Sequence, residues 1–162
     1  MEYTVSNVHE CFENCVIMFQ QQAESKNQTL SLTEQIMYPY VYMDAPHLSE
    51  VCLNIISNAI KYTNTGGTIS CNVLQESCEK EDWCNMIITI TDNGIGMSPE
   101  KLNELREGIV SKQIHYEKHF GISNINSRIC SSLQGHGTLR VESNKDTGTT
   151  IYIRIPQLLE DY

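Results

Sequence analysis

Residues 44–63 have the sequence D-A-P-H-L-S-E-V-C-L-N-I-I-S-N-A-I-K-Y-T, which predicts a helix with two distinct faces. Asp44 is a residue type that caps helix starts, and we expect the helix to run to about Lys61. One face is apolar, with residues at helical spacing: Leu48, Val51, Cys52, Ile55, Ile56 and Ala59. The other face is polar, at steps of three or four positions: Glu50, Asn54, Asn58 and Lys61.

The polar stripe has two interpretations. It is a solvated helix face, or it is one wall of a pocket in which an amide oxygen meets a hard cation and the Lys61 ammonium meets a phosphate. Oxygen ligands suit Mg²⁺, which proteins often share with the phosphates of a substrate. The helix alone leaves both interpretations open.

A glycine-rich turn follows a predicted strand further along the chain. Residues 85–92 carry Met86, Ile88 and Ile90 at alternate positions, and residues 92–97 have the sequence D-N-G-I-G-M. Gly94 and Gly96 allow close backbone approach or a positive φ. Asp92 could accept a hydrogen bond from an exocyclic amine, such as that of adenine. A purely structural turn would fit the same residues.

A third segment, H-F-G-I-S-N-I at residues 119–125, opens a predicted helix over residues 121–133. A helix N-terminus with a glycine at its mouth can bind an anion, although an ordinary helix start has the same appearance. A short helix is predicted from Ser98 to about Glu107, with a mobile loop over residues 108–119 after it.

The other segments also alternate between helix and strand patterns. We predict a helix over residues 7–25 and strands over residues 3–6, 29–33, 41–43, 68–75, 137–143 and 149–155. Strands 68–75 and 85–92 are expected to pair antiparallel, and Pro156 to end the last strand. The sequence therefore predicts an α+β fold, a two-layer sandwich in which about three helices cover one face of a mixed, mostly antiparallel sheet. We expect one domain over residues 1–162.

Composition limits the class of partner and the compartment. A net charge of -9 with a pI near 4.9 argues against general nucleic-acid or membrane binding, because phosphate contacts need clustered Lys and Arg. It does not exclude a nucleotide. The seven cysteines form no C-x-x-C pair, and the sequence lacks a secretory signal pattern. A reduced, cytosolic setting with inert thiols fits better than a metal or redox site.

The three segments in this order resemble the catalytic, ATP-binding domain of sensor histidine kinases, within the ATPase and kinase superfamily with the Bergerat fold. Residues 54–63 resemble the family's N box, residues 92–97 its first glycine box, and residues 121–125 part of its second. Residues 148–156 resemble its closing strand. The resemblance covers roughly residues 3–156, nearly the whole chain.

The resemblance implies roles for particular residues. Asn58 would coordinate Mg²⁺, Lys61 would contact phosphates, and Tyr62 would lie beside the nucleotide. Asp92 would receive the adenine amine, and residues 98–120 would form a mobile ATP lid. The full set expected at the ATP site is Asn54, Asn58, Lys61, Tyr62, Asp92, Gly94, Ile95, Gly96, Met97, Phe120, Gly121, Ile122 and Thr149.

Two positions depart from patterns in the superfamily. Hydrolytic members carry a glutamate where this chain has Asn54, and that glutamate is a general base for water. An amide cannot accept a proton at neutral pH, which favours phosphoryl transfer to a protein side chain over hydrolysis. His119 stands where the second glycine box usually has glycine. Either the lid follows another path with weaker nucleotide binding, or the substitution is tolerated.

The implied enzyme is a protein-histidine kinase that binds Mg·ATP and phosphorylates a histidine on a dimerisation segment of its parent protein. His9 has an adjacent acid but lacks the expected basic residue and proline, so we expect the acceptor to lie outside this chain. A response regulator would be an indirect partner. The domain would be cytoplasmic and make no membrane contact, in a parent that other segments could anchor in a membrane.

Two rivals of the same fold stay open at this point. An anti-sigma-type serine protein kinase would have the same pocket and a different partner surface. A degenerate domain that no longer turns over ATP would act in docking, and His119 favours that alternative.

Overall fold

The computed structural model describes residues 3–111 and 137–159. The elements within these ranges are, in chain order, β1 (Thr4–Asn7), α1 (Val8–Ser25), β2 (Thr29–Gln35), β3 (Tyr40–Met43), α2 (Ala45–Tyr62), β4 (Thr68–Ser77), β5 (Trp83–Asp92), α3 (Pro99–Ser111), β6 (Thr138–Asn144) and β7 (Gly148–Leu159). The helix predicted over residues 121–133 lies outside the described residues.

The strands form one sheet with the order β1-β3-β7-β5-β4-β2, and β6 pairs with β7. The pairing of β2 with β4 is parallel, and the other pairings are antiparallel. The predicted antiparallel pairing of β4 with β5 is confirmed, with Cys71 opposite Ile90. The predicted α+β class with a mixed, mostly antiparallel sheet is therefore confirmed.

One face of the sheet is buried against the helices. The register places Val73, Ile88 and Ile153 side by side across β4, β5 and β7, each with at most 1% of its surface exposed. These side chains form one apolar cluster with residues of α1 and α2, such as Phe12 and Ile56. The alternating pattern of each strand thus sends one set of residues into the core and the other set to the open face.

Side-chain caps fix the starts of the two long helices. Asn7 accepts a hydrogen bond of 3.1 Å from the backbone N–H of Glu10, and Asp44 accepts one of 3.1 Å from the backbone N–H of His47. The predicted N-cap at Asp44 is confirmed. No helix among residues 3–111 and 137–159 is long and apolar enough to cross a bilayer.

The end of α2, at Tyr62, is held by side chains from the turn after α1. The Lys26 ammonium and the Gln28 amide both donate to the carbonyl oxygen of Thr63, at 3.2 and 2.7 Å, and both also donate to the carbonyl oxygen of Ile60. These are carbonyls that the helix itself leaves without a partner. The last turn of α2, which carries Lys61, is thereby fixed to the body of the domain.

The helix predicted to end at about Glu107 continues to Ser111, so the first residues of the predicted loop over 108–119 are helical. Ile109 packs against the core and continues the apolar stripe of Leu102 and Leu105 at helical spacing. The packing of Ile109, which weak periodicity did not reveal, stabilises this last part of the helix.

The prediction that Pro156 ends the last strand is wrong, because β7 runs on to Leu159. On one side of β7, β6 pairs only as far as Arg154, and β3 begins to pair at Leu158. Pro156 lies in the gap between these two partners. A missing N–H is tolerated where no neighbouring strand needs it.

Five of the cysteines are buried free thiols: Cys11, Cys15, Cys52, Cys71 and Cys84. Burial raises the pKa of Cys71 to about 12 and that of Cys84 to about 11, so both thiols stay protonated at neutral pH. Within the described ranges, His, Cys, Asp and Glu form no group of three that could hold a metal ion.

Candidate nucleotide site

The polar stripe of α2 faces away from the core. Asn54, Lys61 and Tyr62 are exposed and Asn58 is half-buried, whereas the apolar face of the same helix is buried. The Lys61 ammonium lies 5.2 Å from the centre of the Tyr62 ring. A ligand can therefore reach the amide and ammonium groups of this stripe.

The Asp92 carboxylate is fixed at the end of β5 by two backbone groups. Its Oδ1 accepts hydrogen bonds from the N–H of Gly94 at 2.9 Å and from the N–H of Thr149 at 3.3 Å. Both bonds use the same oxygen, which leaves Oδ2 as an acceptor for a ligand. Asp92 is thus oriented before any ligand arrives.

Burial raises the pKa of Asp92, while the hydrogen bonds from Gly94 and Thr149 act in the opposite direction. The carboxylate is half-buried, so water screens it less than it would screen a surface acid. A hydrogen bond from a neutral amine to this oxygen gains strength in such surroundings.

The two glycines of the turn are required by contacts within the protein itself. A Cβ on Gly94 would lie 2.4 Å from the carbonyl oxygen of Tyr62, and a Cβ on Gly96 would lie 1.9 Å from that of Asn144. Gly96 also has a φ of +61°. The turn therefore packs tightly between the end of α2 and the turn that joins β6 to β7. A side chain on Gly94 or Gly96 would force these segments apart.

We call the place where the end of α2, the turn after β5 and the start of β7 meet the junction. Backbone hydrogen bonds also hold it together. The Ile95 N–H donates to the carbonyl of Tyr62 at 3.2 Å, and the Asp146 N–H donates to the carbonyl of Ile95 at 2.7 Å. The Ile95 side chain, 48% exposed, is left on the outside of the turn. An exposed apolar side chain in the same turn as a fixed carboxylate suits a flat, partly polar ligand such as a base.

Ser143 is part of this junction and was missed by the sequence reasoning. It is buried on β6, and its hydroxyl contacts the backbone N–H of Met97, the carbonyl of Gly148 and the hydroxyl of Thr149, each at 2.9 Å. The only signal in the sequence was a serine at an inward position of an alternating strand. Two expected site residues, Met97 and Thr149, are joined through it.

The structure brings one group of expected residues together around the turn after β5, through direct contacts or through Ser143 and Asn144: Tyr62, Asp92, Gly94, Ile95, Gly96, Met97 and Thr149. Asn58 and Asn54 lie about one and two turns before Tyr62 on α2. The expected residues Phe120, Gly121 and Ile122 lie outside the described residues, as do His119 and the part of the predicted lid from Lys112 onward.

The chain is similar to known proteins over most of its length. Residues 43–159 match the family of histidine kinase-, DNA gyrase B-, and HSP90-like ATPases. The chain is 28% identical over 118 residues to the autoinducer 2 sensor kinase/phosphatase LuxQ of Vibrio parahaemolyticus, covering 72% of this chain and 14% of LuxQ. It is 26% identical over 162 residues to the sensor protein RprX of Bacteroides fragilis, covering 96% of this chain and 30% of RprX.

Solved structures show the same fold. The catalytic domain of the histidine kinase ThkA has a TM-score of 0.78 and 17% identity, with 97% of each chain covered. The chain spans only 14% of the length of LuxQ and 30% of that of RprX. The expected resemblance to histidine kinase catalytic domains is thus confirmed, and the chain belongs to the family of histidine kinase-, DNA gyrase B-, and HSP90-like ATPases.

Proposed function

We propose that this chain binds ATP with Mg²⁺ at the junction of α2, the turn after β5 and the start of β7. We further propose that it supplies the γ-phosphate to a histidine on a dimerisation segment of its parent protein. The observation that carries this proposal is the orientation of Asp92 by two backbone N–H groups, beside the exposed end of α2. A response regulator would then receive the phosphoryl group, and the domain would work in the cytoplasm.

Different residues of the junction contact different parts of the nucleotide. Asp92 accepts a hydrogen bond from the adenine amine, and Ile95 and Met97 offer apolar surface to the base. Tyr62 lies between the base and the polar stripe of α2. The fixed carboxylate gives the base one orientation, because an acceptor at this position repels a carbonyl oxygen.

The polar stripe of α2 suits the phosphate end. Asn58 offers an amide oxygen to Mg²⁺, and the exposed Lys61 offers its ammonium to a phosphate. The metal, when bound, neutralises charge on the phosphates. These residues bind and orient ATP, and Asn54 lacks the basicity to activate water for hydrolysis.

We infer that residues 1–162 form a single domain. β1, near the start of the sequence, and β7, near its end, both pair with β3 in the same sheet. The apolar residues of α1, α2 and that sheet also share one core.

Isothermal titration with a non-hydrolysable ATP analogue, with and without Mg²⁺, tests the metal role. Asn58→Ala should remove most of the increase in affinity that Mg²⁺ gives to the unmodified chain. Asn72→Ala is the matched control, since Asn72 is an exposed amide on β4. Equal Mg²⁺ dependence in Asn58→Ala and the unmodified chain would refute the assignment of Asn58.

A further inference from the structure

The strand register places Ser143, Thr149 and Asp92 in one row across β6, β7 and β5. Ser143 is directly opposite Thr149, and Thr149 is directly opposite Asp92. All three lie on the helix-covered side of the sheet, because each is an even number of positions from a buried residue of its own strand, such as Val141 or Ile151. The row therefore ends at the junction proposed to bind the base.

The hydrogen bonds of Ser143 determine which way the hydroxyl hydrogens point. A serine hydroxyl has one hydrogen to donate and two lone pairs that accept. The Met97 N–H can only donate to Ser143, and the Gly148 carbonyl can only accept from it. The Ser143 hydroxyl therefore donates its hydrogen to the Gly148 carbonyl. In the contact of 2.9 Å between the two hydroxyls, Thr149 donates and Ser143 accepts.

Thr149 is consequently restricted to accepting hydrogen bonds from a ligand. Its hydroxyl hydrogen is engaged by Ser143, and its backbone N–H is engaged by Asp92. The Thr149 hydroxyl oxygen thus keeps only lone pairs for a ligand, next to a carboxylate that also accepts. The two neighbouring residues together form a surface of acceptors.

We propose that Ser143 is a positioning residue that selects bases with an amine at position 6 over bases with a carbonyl there, by holding the Thr149 hydroxyl as an acceptor. This inference rests on the proposed nucleotide site. An amine hydrogen is attracted to lone pairs, whereas a carbonyl oxygen is repelled by them. Without Ser143, the Thr149 hydroxyl can rotate and donate to a carbonyl oxygen, so the discrimination falls.

The test compares β,γ-imido analogues of ATP and of inosine triphosphate, which carries a carbonyl at position 6. Dissociation constants are measured by calorimetry for the unmodified chain, Ser143→Ala, Thr149→Val and the double variant. We expect Ser143→Ala to reduce the preference for the adenine analogue by roughly three- to tenfold, mainly through tighter binding of the inosine analogue.

Thr149→Val removes the hydroxyl and leaves Ser143 in place, so it provides a second, independent variant. It should also reduce the preference, and adding Ser143→Ala to it should change the preference no further, because Ser143 acts through Thr149. A general loosening of the site would instead weaken both analogues equally and add in the double variant.

The outcomes separate this inference from the proposed function. Absence of binding of the adenine analogue to the unmodified chain would overturn both. Binding with the same preference in Ser143→Ala as in the unmodified chain, or additive effects of the two substitutions, would overturn the role of Ser143 alone. Should Ser143→Ala fail to fold, an unchanged preference in Thr149→Val would overturn it equally.

Discussion

The backbone N–H of Thr149 donates a hydrogen bond of 3.3 Å to Oδ1 of Asp92, a residue 57 positions earlier in the chain. The two residues are directly opposite each other in the pairing of β5 with β7. The orientation of the carboxylate therefore depends on the register of two central strands. A one-residue slip in that register would turn Thr149 to the other face of the sheet.

Asp92→Asn should leave the ligand-free protein at least as stable as the unmodified chain at neutral pH. Burial raises the pKa of Asp92 above its ordinary value of 3.8, so ionised Asp92 opposes folding, and its protonation relieves that effect. An asparagine keeps an acceptor oxygen for Gly94 and Thr149 without the charge.

The stability difference between the two proteins should shrink as the pH falls through the raised pKa, since Asp92 then becomes neutral in the folded state. Urea unfolding between pH 4 and pH 8 measures this. A loss of stability in Asp92→Asn at neutral pH would contradict this prediction. It would show that the hydrogen bonds of the ionised carboxylate stabilise the fold more than the burial of its charge destabilises it.

Gly96→Ala should destabilise the protein by at least about 2 kcal/mol, because the new methyl group would meet the Asn144 carbonyl and the residue has a positive φ. Gly66→Ala is the matched control. Gly66 has a φ of +81° but open space around it, so only the conformational effect of about 1 kcal/mol is expected there. Equal losses in urea unfolding would contradict the close contact at Gly96.

Gln28→Met should cost about 1–3 kcal/mol of stability. The Gln28 amide is buried and donates to the carbonyls of Ile60 and Thr63, which would lose this donor. Gln22→Met is the control at an exposed position of α1 and should change stability little. Similar effects of the two substitutions on thermal unfolding would show that the end of α2 does not depend on Gln28.

His9 should make stability depend on pH near neutrality. Its Nδ1 lies 2.6 Å from the Glu34 carboxylate, and that contact raises the pKa of His9 above 6.5. The charged pair links α1 to β2. Its contribution to stability is fully present below about pH 6.5 and is lost as the pH rises through the raised pKa of His9. Unfolding curves should therefore show that His9→Gln weakens this decline in stability with pH, and an unchanged decline would exclude His9 as its source.

Much of the fold was predictable because its signals are local. The apolar residues at alternate positions 86, 88 and 90 and the capped helix after Asp44 correspond to a central strand and to α2. The wrong predictions concern the ends of elements, where tertiary contacts determine how far a helix or strand continues. Ile109 extends α3 by packing on the core, and Pro156 continues a strand because its neighbours leave a gap there.

The candidate site was predictable in part. The resemblance to a family points to Asp92 and Thr149, and the structure joins them directly, whereas their roles toward ATP stay predictions. Ser143 was missed because its part depends on strand register, which places it opposite Thr149. A single buried serine carries no signal of its own in the sequence.

Calorimetric titration of the chain with a non-hydrolysable ATP analogue in Mg²⁺, repeated on Asp92→Asn, tests the central claim most directly. We predict measurable binding to the unmodified chain and at least a tenfold weaker affinity in Asp92→Asn, because the amide places a donor where the base also donates. The absence of binding to the unmodified chain at millimolar analogue, or equal affinity of the two proteins, would contradict it.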